Sequence, residues 1–176
     1  MKPAHSKLLN DASAIHAYPG VVRVRTALQQ HGLKDTIIVM PEATHTAQAA
    51  ADALGCTIGE IAKSIIFRAS ERAVLVITSG KNRVDDKKVA ALIGMTLSKA
   101  DADFVRAQTG FVIGGVAPLA HNFAPVVLMD RDLLSYERVW PAAGHPNTMF
   151  QIAPGQLAEI TQAQIADIAL VKSEAV

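Results

Sequence analysis

A single cysteine, Cys56, stands in a chain of 176 residues, so an intrachain disulfide framework is excluded and a reducing compartment is expected. Net charge is nearly absent as well. Seventeen Lys and Arg against sixteen Asp and Glu leave +1, which rules out an overall electrostatic grip on long nucleic acid. Any nucleic-acid contact has to be local. No apolar run approaches the roughly 20 residues that cross a bilayer, and Met1 to Asn10 carries lysines and a histidine without the apolar core of a signal peptide. A cytoplasmic protein with no membrane partner is expected.

Several chemistries lack their residues. His5, His16, His31, His45, His121 and His145 show neither an i, i+4 pair around a Glu nor a Cys/His cluster, so no metal site and no cofactor is expected. Lys81 follows Gly80, but no earlier glycine and no following Ser or Thr completes a phosphate-binding loop. A Gly-x-Ser-x-Gly nucleophile elbow is missing. Cys56 lies just past an expected helix C-terminus, where the dipole disfavours a thiolate, and reads as a small packing residue.

What remains is half hydrophobic, enough for one domain with a sizeable core. Helices are expected over Val21 to Gln30, from Thr44 or Thr46 to Leu54 with Gly55 as C-cap, from Asp85 or Asp86 to Ile93 before Gly94, and over Asp101 to Gln108 before Gly110. A last helix is expected from the capping-box pattern Thr161-Gln162-Ala163-Gln164 to about Leu170. Strands are expected at Thr36 to Met40, Ile61 to Phe67, Ala73 to Thr78, Met95 to Leu97, Val126 to Met129 and Thr148 to Ile152. The polar Arg68 to Arg72 turn makes a hairpin of the second and third of these. Helices and strands interleave irregularly around this hairpin, which indicates a mixed α+β domain.

Lys63 breaks the pattern of its strand. Alternation puts its side chain on the same face as Ile61, Ile65 and Phe67, so the ammonium is either a snorkelling head at a strand end or a cation at the mouth of a pocket. Downstream, Gly114-Gly115-Val116-Ala117-Pro118 forms a Gly-Gly turn closed by proline, which can bare main-chain N–H groups to a ligand. The charged segment Lys81 to Lys88 is either solvated surface or a place where Lys81, Arg83, Lys87 or Lys88 meets a phosphate backbone.

The segments Ala50 to Gly55, Ile61 to Phe67, Val74 to Gly80, Val84 to Lys88 and Thr109 to Pro118, taken in order and spacing, resemble the YbaK family, also called the prolyl-tRNA synthetase associated or editing-domain family. The resemblance runs from about Val22 to Val171. It assigns residues 21–172 to a deacylase domain and residues 1–20 to an extension. It implies a single compact α+β domain with a mixed, barrel-like central sheet surrounded by helices. It also implies hydrolysis, in trans, of the ester that joins a wrong small amino acid such as Cys, Ala, Ser or Thr to tRNA.

In that family the lysine matching Lys63 is required for deacylation, and the loop matching Gly114 to Pro118 shapes the ester pocket. Lys63 would hold a phosphate or ribose edge. Gly114 and Gly115 would stabilise the oxyanion, and Thr46, Val116, Ala117, Pro118 and His145 would surround the aminoacyl group. His145, in Ala143 to Thr148, reads equally well as a loop histidine, and Thr44, His45 and Thr46 as a selectivity rim or a helix cap. The implied partners are the acceptor end of mischarged tRNA and a synthetase. A non-catalytic tRNA- or synthetase-binding module of the same fold is the alternative, and an unrelated esterase is a third.

Overall fold

A computed structural model describes residues 12–41 and 44–171. Most of the extension expected over residues 1–20 lies outside them, as do Glu42 and Ala43 of the segment before the second expected helix. The chain folds as one mixed α+β domain. Pro19 opens α1 (Pro19–Gln30) at the position where a missing N–H costs nothing, and Val21, Val24 and Leu28 form its buried stripe. Three later helices carry local start and stop signals. The hydroxyl of Thr46 accepts from the Ala49 N–H at the start of α2 (Ala47–Leu54). Asp85 caps α3 (Asp86–Ile93) and Asp101 caps α4 (Ala102–Thr109). Gly55, Gly94 and Gly110 end the three helices in the left-handed conformation.

The centre is the hairpin of β2 (Ile61–Ala69) and β3 (Arg72–Ser79), in antiparallel register with Lys63 opposite Thr78. Both faces of β3 are covered, which is why it reads as a continuous apolar run. Leu75 and Ile77 join the main core with α1, and Val74 and Val76 pack with Val89 of α3 and Leu128 on the other side. Beyond β3 lie β5 (Val126–Asp130) and β8 (Gln164–Ala166), both parallel. Beyond β2, the edge is shared by two short partners: β6 (Trp140–Pro141), parallel at Ile61 and Ala62, and β4 (Ser98–Lys99), antiparallel at Phe67 and Arg68. A two-stranded sheet of β1 (Ile38–Val39) and β7 (Thr148–Met149) is linked to the β6 segment by hydrogen bonds from Phe150 N–H to Pro141 O and from Ala143 N–H to Thr148 O.

Three expectations need correction. The mixed sheet does not close: its strand order β4-β2-β3-β5-β8 leaves two ends, and no barrel forms among the described residues. The strand expected at Met95 to Leu97 falls at Ser98–Lys99. The last helix is α5 (Pro154–Thr161), which ends where the capping box was expected to begin one. The Thr161 hydroxyl donates back to Leu157 O at 2.7 Å, Gln162 turns left-handed, and the next residues become β8.

Candidate active site

Between its contacts with β6 and β4, the edge of β2 away from β3 has no strand partner among the described residues, and there a cavity of about 330 Å³ opens. Lys63, Ser64, Thr46, Gly114, Val116 and Thr148 are among its walls. The cavity therefore gathers residues from α2, β2, the Gly-Gly loop and β7, far apart in sequence.

The Lys63 stem is half-buried and its Nζ donates to the main-chain oxygen of Asn82 at 3.1 Å. Burial first, and then the nearby Arg83 guanidinium, push the ammonium below the ordinary lysine value, against the opposing pull of Asp130. Asn82 is itself fixed. Its side-chain amide donates to Asp130 Oδ2 and Asp132 Oδ2, both at 2.8 Å. Asp130, 1% exposed, also accepts from the Ser79 N–H and the Thr78 hydroxyl through Oδ2, and from the Asp132 N–H through Oδ1. A buried carboxylate with this many donors is satisfied, and it locks the loop that receives Lys63.

The glycine loop divides in two. Gly115 N–H donates to Val112 O at 2.9 Å, closing a turn in which Gly114 takes φ +89°, the left-handed position that favours glycine. The Gly115 N–H expected at an oxyanion is thus engaged inside the loop. Gly115 serves by its lack of a side chain: a β-carbon there would lie 2.9 Å from main-chain atoms of His145 and Pro146. Gly114 and Val116 line the cavity, and their N–H groups find no acceptor among the described residues.

Other expected residues sit at varying distance from this wall. Thr46 both caps α2 and lines the cavity. Ala117 is fully buried behind the loop, where its carbonyl meets His121 Nε2 at 2.6 Å, and Pro118 lines a separate cavity with Leu119 and His121. His145 stands behind the cavity wall formed by Pro146 and Thr148. Its ring meets Tyr18 edge-on at 4.9 Å, and Nδ1 accepts from the Asn147 N–H at 3.0 Å. Burial lowers its pKa, which favours a neutral ring with its proton on Nε2.

Of the four cations expected at tRNA, Arg83 is the one whose charge is felt at Lys63. Lys81 lies over the Tyr136 ring at 5.7 Å, Lys87 lines a surface groove along α3, and Lys88 is tied to Asp167 and the Ala169 carbonyl. Sequence reasoning missed Ser64, Asn82 and Asp130. Ser64 carried a signal, being a polar residue on the same apolar strand as Lys63.

The aminoacyl-tRNA editing domain model matches residues 41–160. The crystal structure of a candidate trans-editing enzyme for prolyl tRNA synthetase superposes with a TM-score of 0.83 at 40% identity, over 87% of this chain and 98% of that one. YwhH of Bacillus subtilis, an uncharacterized protein, is 29% identical over 143 residues, which span 81% of this chain and 91% of YwhH. EbsC of Enterococcus faecalis, a candidate Cys-tRNA(Pro)/Cys-tRNA(Cys) deacylase, is 23% identical over 125 residues, or 70% of this chain and 76% of EbsC. With the cavity and its lysine held in this fold, the chain belongs to the aminoacyl-tRNA editing domain family.

Proposed function

We propose that this protein is a trans-acting deacylase that hydrolyses the ester of a mischarged tRNA carrying a small amino acid. One observation carries the reading: a lysine anchored by a buried network and a loop with unengaged N–H groups share one cavity. The acceptor end of an aminoacyl-tRNA presents phosphate, ribose and an ester carbonyl within a few ångströms of one another. Lys63 holds the phosphate or ribose edge as a compact point charge. The N–H groups of Gly114 and Val116 receive the negative charge that develops on the carbonyl oxygen when water attacks. That addition and the collapse of the tetrahedral intermediate break the ester bond, and the ribose oxygen leaves with a proton. The substrate's own neighbouring ribose hydroxyl positions the water, so the site requires little beyond orientation for an already activated ester.

Near-neutral charge suits a protein that reads an unpaired end and does not clasp a duplex. A synthetase that delivers the tRNA would supply the remaining selectivity. The test is hydrolysis of a panel of mischarged tRNAs by wild type and Lys63→Ala. Turnover of at least one substrate, reduced about 100-fold or more in the variant, is expected. Undiminished hydrolysis by Lys63→Ala removes the lysine from the mechanism. Failure of wild type on every substrate favours a non-catalytic module.

A further inference from the structure

Ser64 is the one buried hydroxyl among the described side chains that lacks a hydrogen-bond partner. It sits on β2 with its side chain on the face shared by Ala62 and Ile66, both packed toward the main core, and opposite to Lys63. A buried unpaired hydroxyl is costly to keep, so its place matters. That place is the junction of two cavities. Ser64, Ile65, Ile113, Gly114 and Val116 wall both the Lys63 cavity and a smaller one of about 150 Å³, closed behind by Ile66, Ala100 and Val105.

The main chain of Ser64 is also available. The Gly80 N–H donates to Ile61 O at 2.7 Å, and continuing that ladder along the hairpin register turns the amide groups of Lys63 and Ile65 toward β3. Those of Ser64 and Ile66 therefore face the opposite edge. There β6 stops at Ala62 and β4 begins at Phe67, and no backbone hydrogen bond from the described residues fills the gap. Ser64 thus presents an N–H and a C=O at an open strand edge, as strands that accept an added residue do.

We propose that this edge is the aminoacyl subsite and that Ser64 selects an amino acid with a hydroxyl on its β-carbon. The inference rests on the deacylase reading. The α-amino group of the substrate donates to the Ser64 carbonyl and its ester carbonyl faces the Ser64 N–H, beside the Gly114 loop. A residue paired directly across a strand edge projects its side chain on the same face as its partner, with β-carbons about 5 Å apart. The substrate side chain is then directed into the smaller cavity, and a seryl or threonyl hydroxyl comes within reach of Ser64 Oγ. Lys63, on the other face, is left to the nucleotide.

The experiment compares wild type with Ser64→Ala on one tRNA body acylated with serine, threonine, alanine or cysteine, with a thermal melt of each protein. Ser64→Ala is expected to lower kcat/KM for seryl- and threonyl-tRNA about tenfold relative to alanyl-tRNA, and to leave Tm unchanged or higher because it removes an unpaired buried hydroxyl. An unchanged ratio of seryl to alanyl turnover in an active variant overturns the subsite and spares the deacylase reading. A clear fall in Tm also overturns it, since the hydroxyl would then have a partner in the protein. Wild type that hydrolyses none of the four overturns the deacylase reading itself and this subsite with it.

Discussion

Lys63 Nζ reaches the main-chain oxygen of Asn82, and the side chain of that same asparagine is clamped between Asp130 and Asp132. The lysine is therefore positioned by a carboxylate it does not touch. This indirect arrangement keeps a negative group out of the cavity, where it would repel phosphate, while its field still favours the ammonium.

Under the proposed role of Lys63 as the substrate anchor, the pH dependence of turnover follows. Lys63 loses its proton at a lower pH than an ordinary lysine, so the enzyme-catalysed rate, corrected for spontaneous ester hydrolysis, should fall on the alkaline side below the usual 10.5. Arg83→Gln removes an opposing positive charge and should move that limb up in pH, and Asp130→Asn should move it down. The stability sign is opposite. Within this window the folded state binds fewer protons than the unfolded one, so stability should rise with pH as activity falls. A limb that neither variant moves belongs to some other group.

Asp130→Asn should also destabilise the fold. It replaces an oxygen that accepts from Thr78, Ser79 and Asn82, so donors would face a donor or lose their acceptor in a buried site. About 3 kcal/mol is expected from urea unfolding. A change below about 1 kcal/mol would show that the network contributes little.

The two loop glycines should fail differently. A β-carbon at Gly114 meets open space and costs only the strain of its left-handed backbone, about 1 kcal/mol. At Gly115 it presses on main-chain atoms of His145 and Pro146, for which about 2–3 kcal/mol is expected. Denaturant midpoints of Gly114→Ala and Gly115→Ala decide the order, and the reverse order would refute this account of the loop.

Among the cations, Lys88→Ala should lower Tm slightly without altering the salt dependence of tRNA turnover, because its ammonium is already bound within the chain. Arg83→Gln should lower kcat/KM several-fold and flatten the log–log salt slope by about one phosphate contact. Equal salt slopes for wild type and Arg83→Gln would take Arg83 out of the tRNA path.

What was legible in the sequence was local. Thr46, Asp85 and Asp101 cap helices by accepting from N–H groups two or three residues onward, and Gly55, Gly94 and Gly110 end them by their own backbone freedom. Each of these features is decided within a few residues. The segment after Thr161 carries a capping pattern too, but Leu128 to Asp130 offers it a strand partner, and pairing with residues more than 30 positions away overrides local preference. The same holds at the site. Lys63 could be singled out because a charge on an apolar strand is anomalous by itself. Asp130 looked like part of a polar break, since its donors come from the far end of a hairpin some 50 residues earlier.

The start of α1 gives one more consequence. A β-carbon at Gly20 would collide with the main-chain oxygen of Gly144, and one at Gly144 with that of Gly20, while the Tyr18 ring packs on His145. These contacts brace the segment whose next residues, Pro146 and Thr148, wall the cavity. A shortened chain beginning at residue 21 would keep every side chain that lines the cavity and yet lose the backstop of one wall. Its expected defect is a loosened cavity in an otherwise folded protein, the loss of the brace that residues 18–20 set against residues 144 and 145.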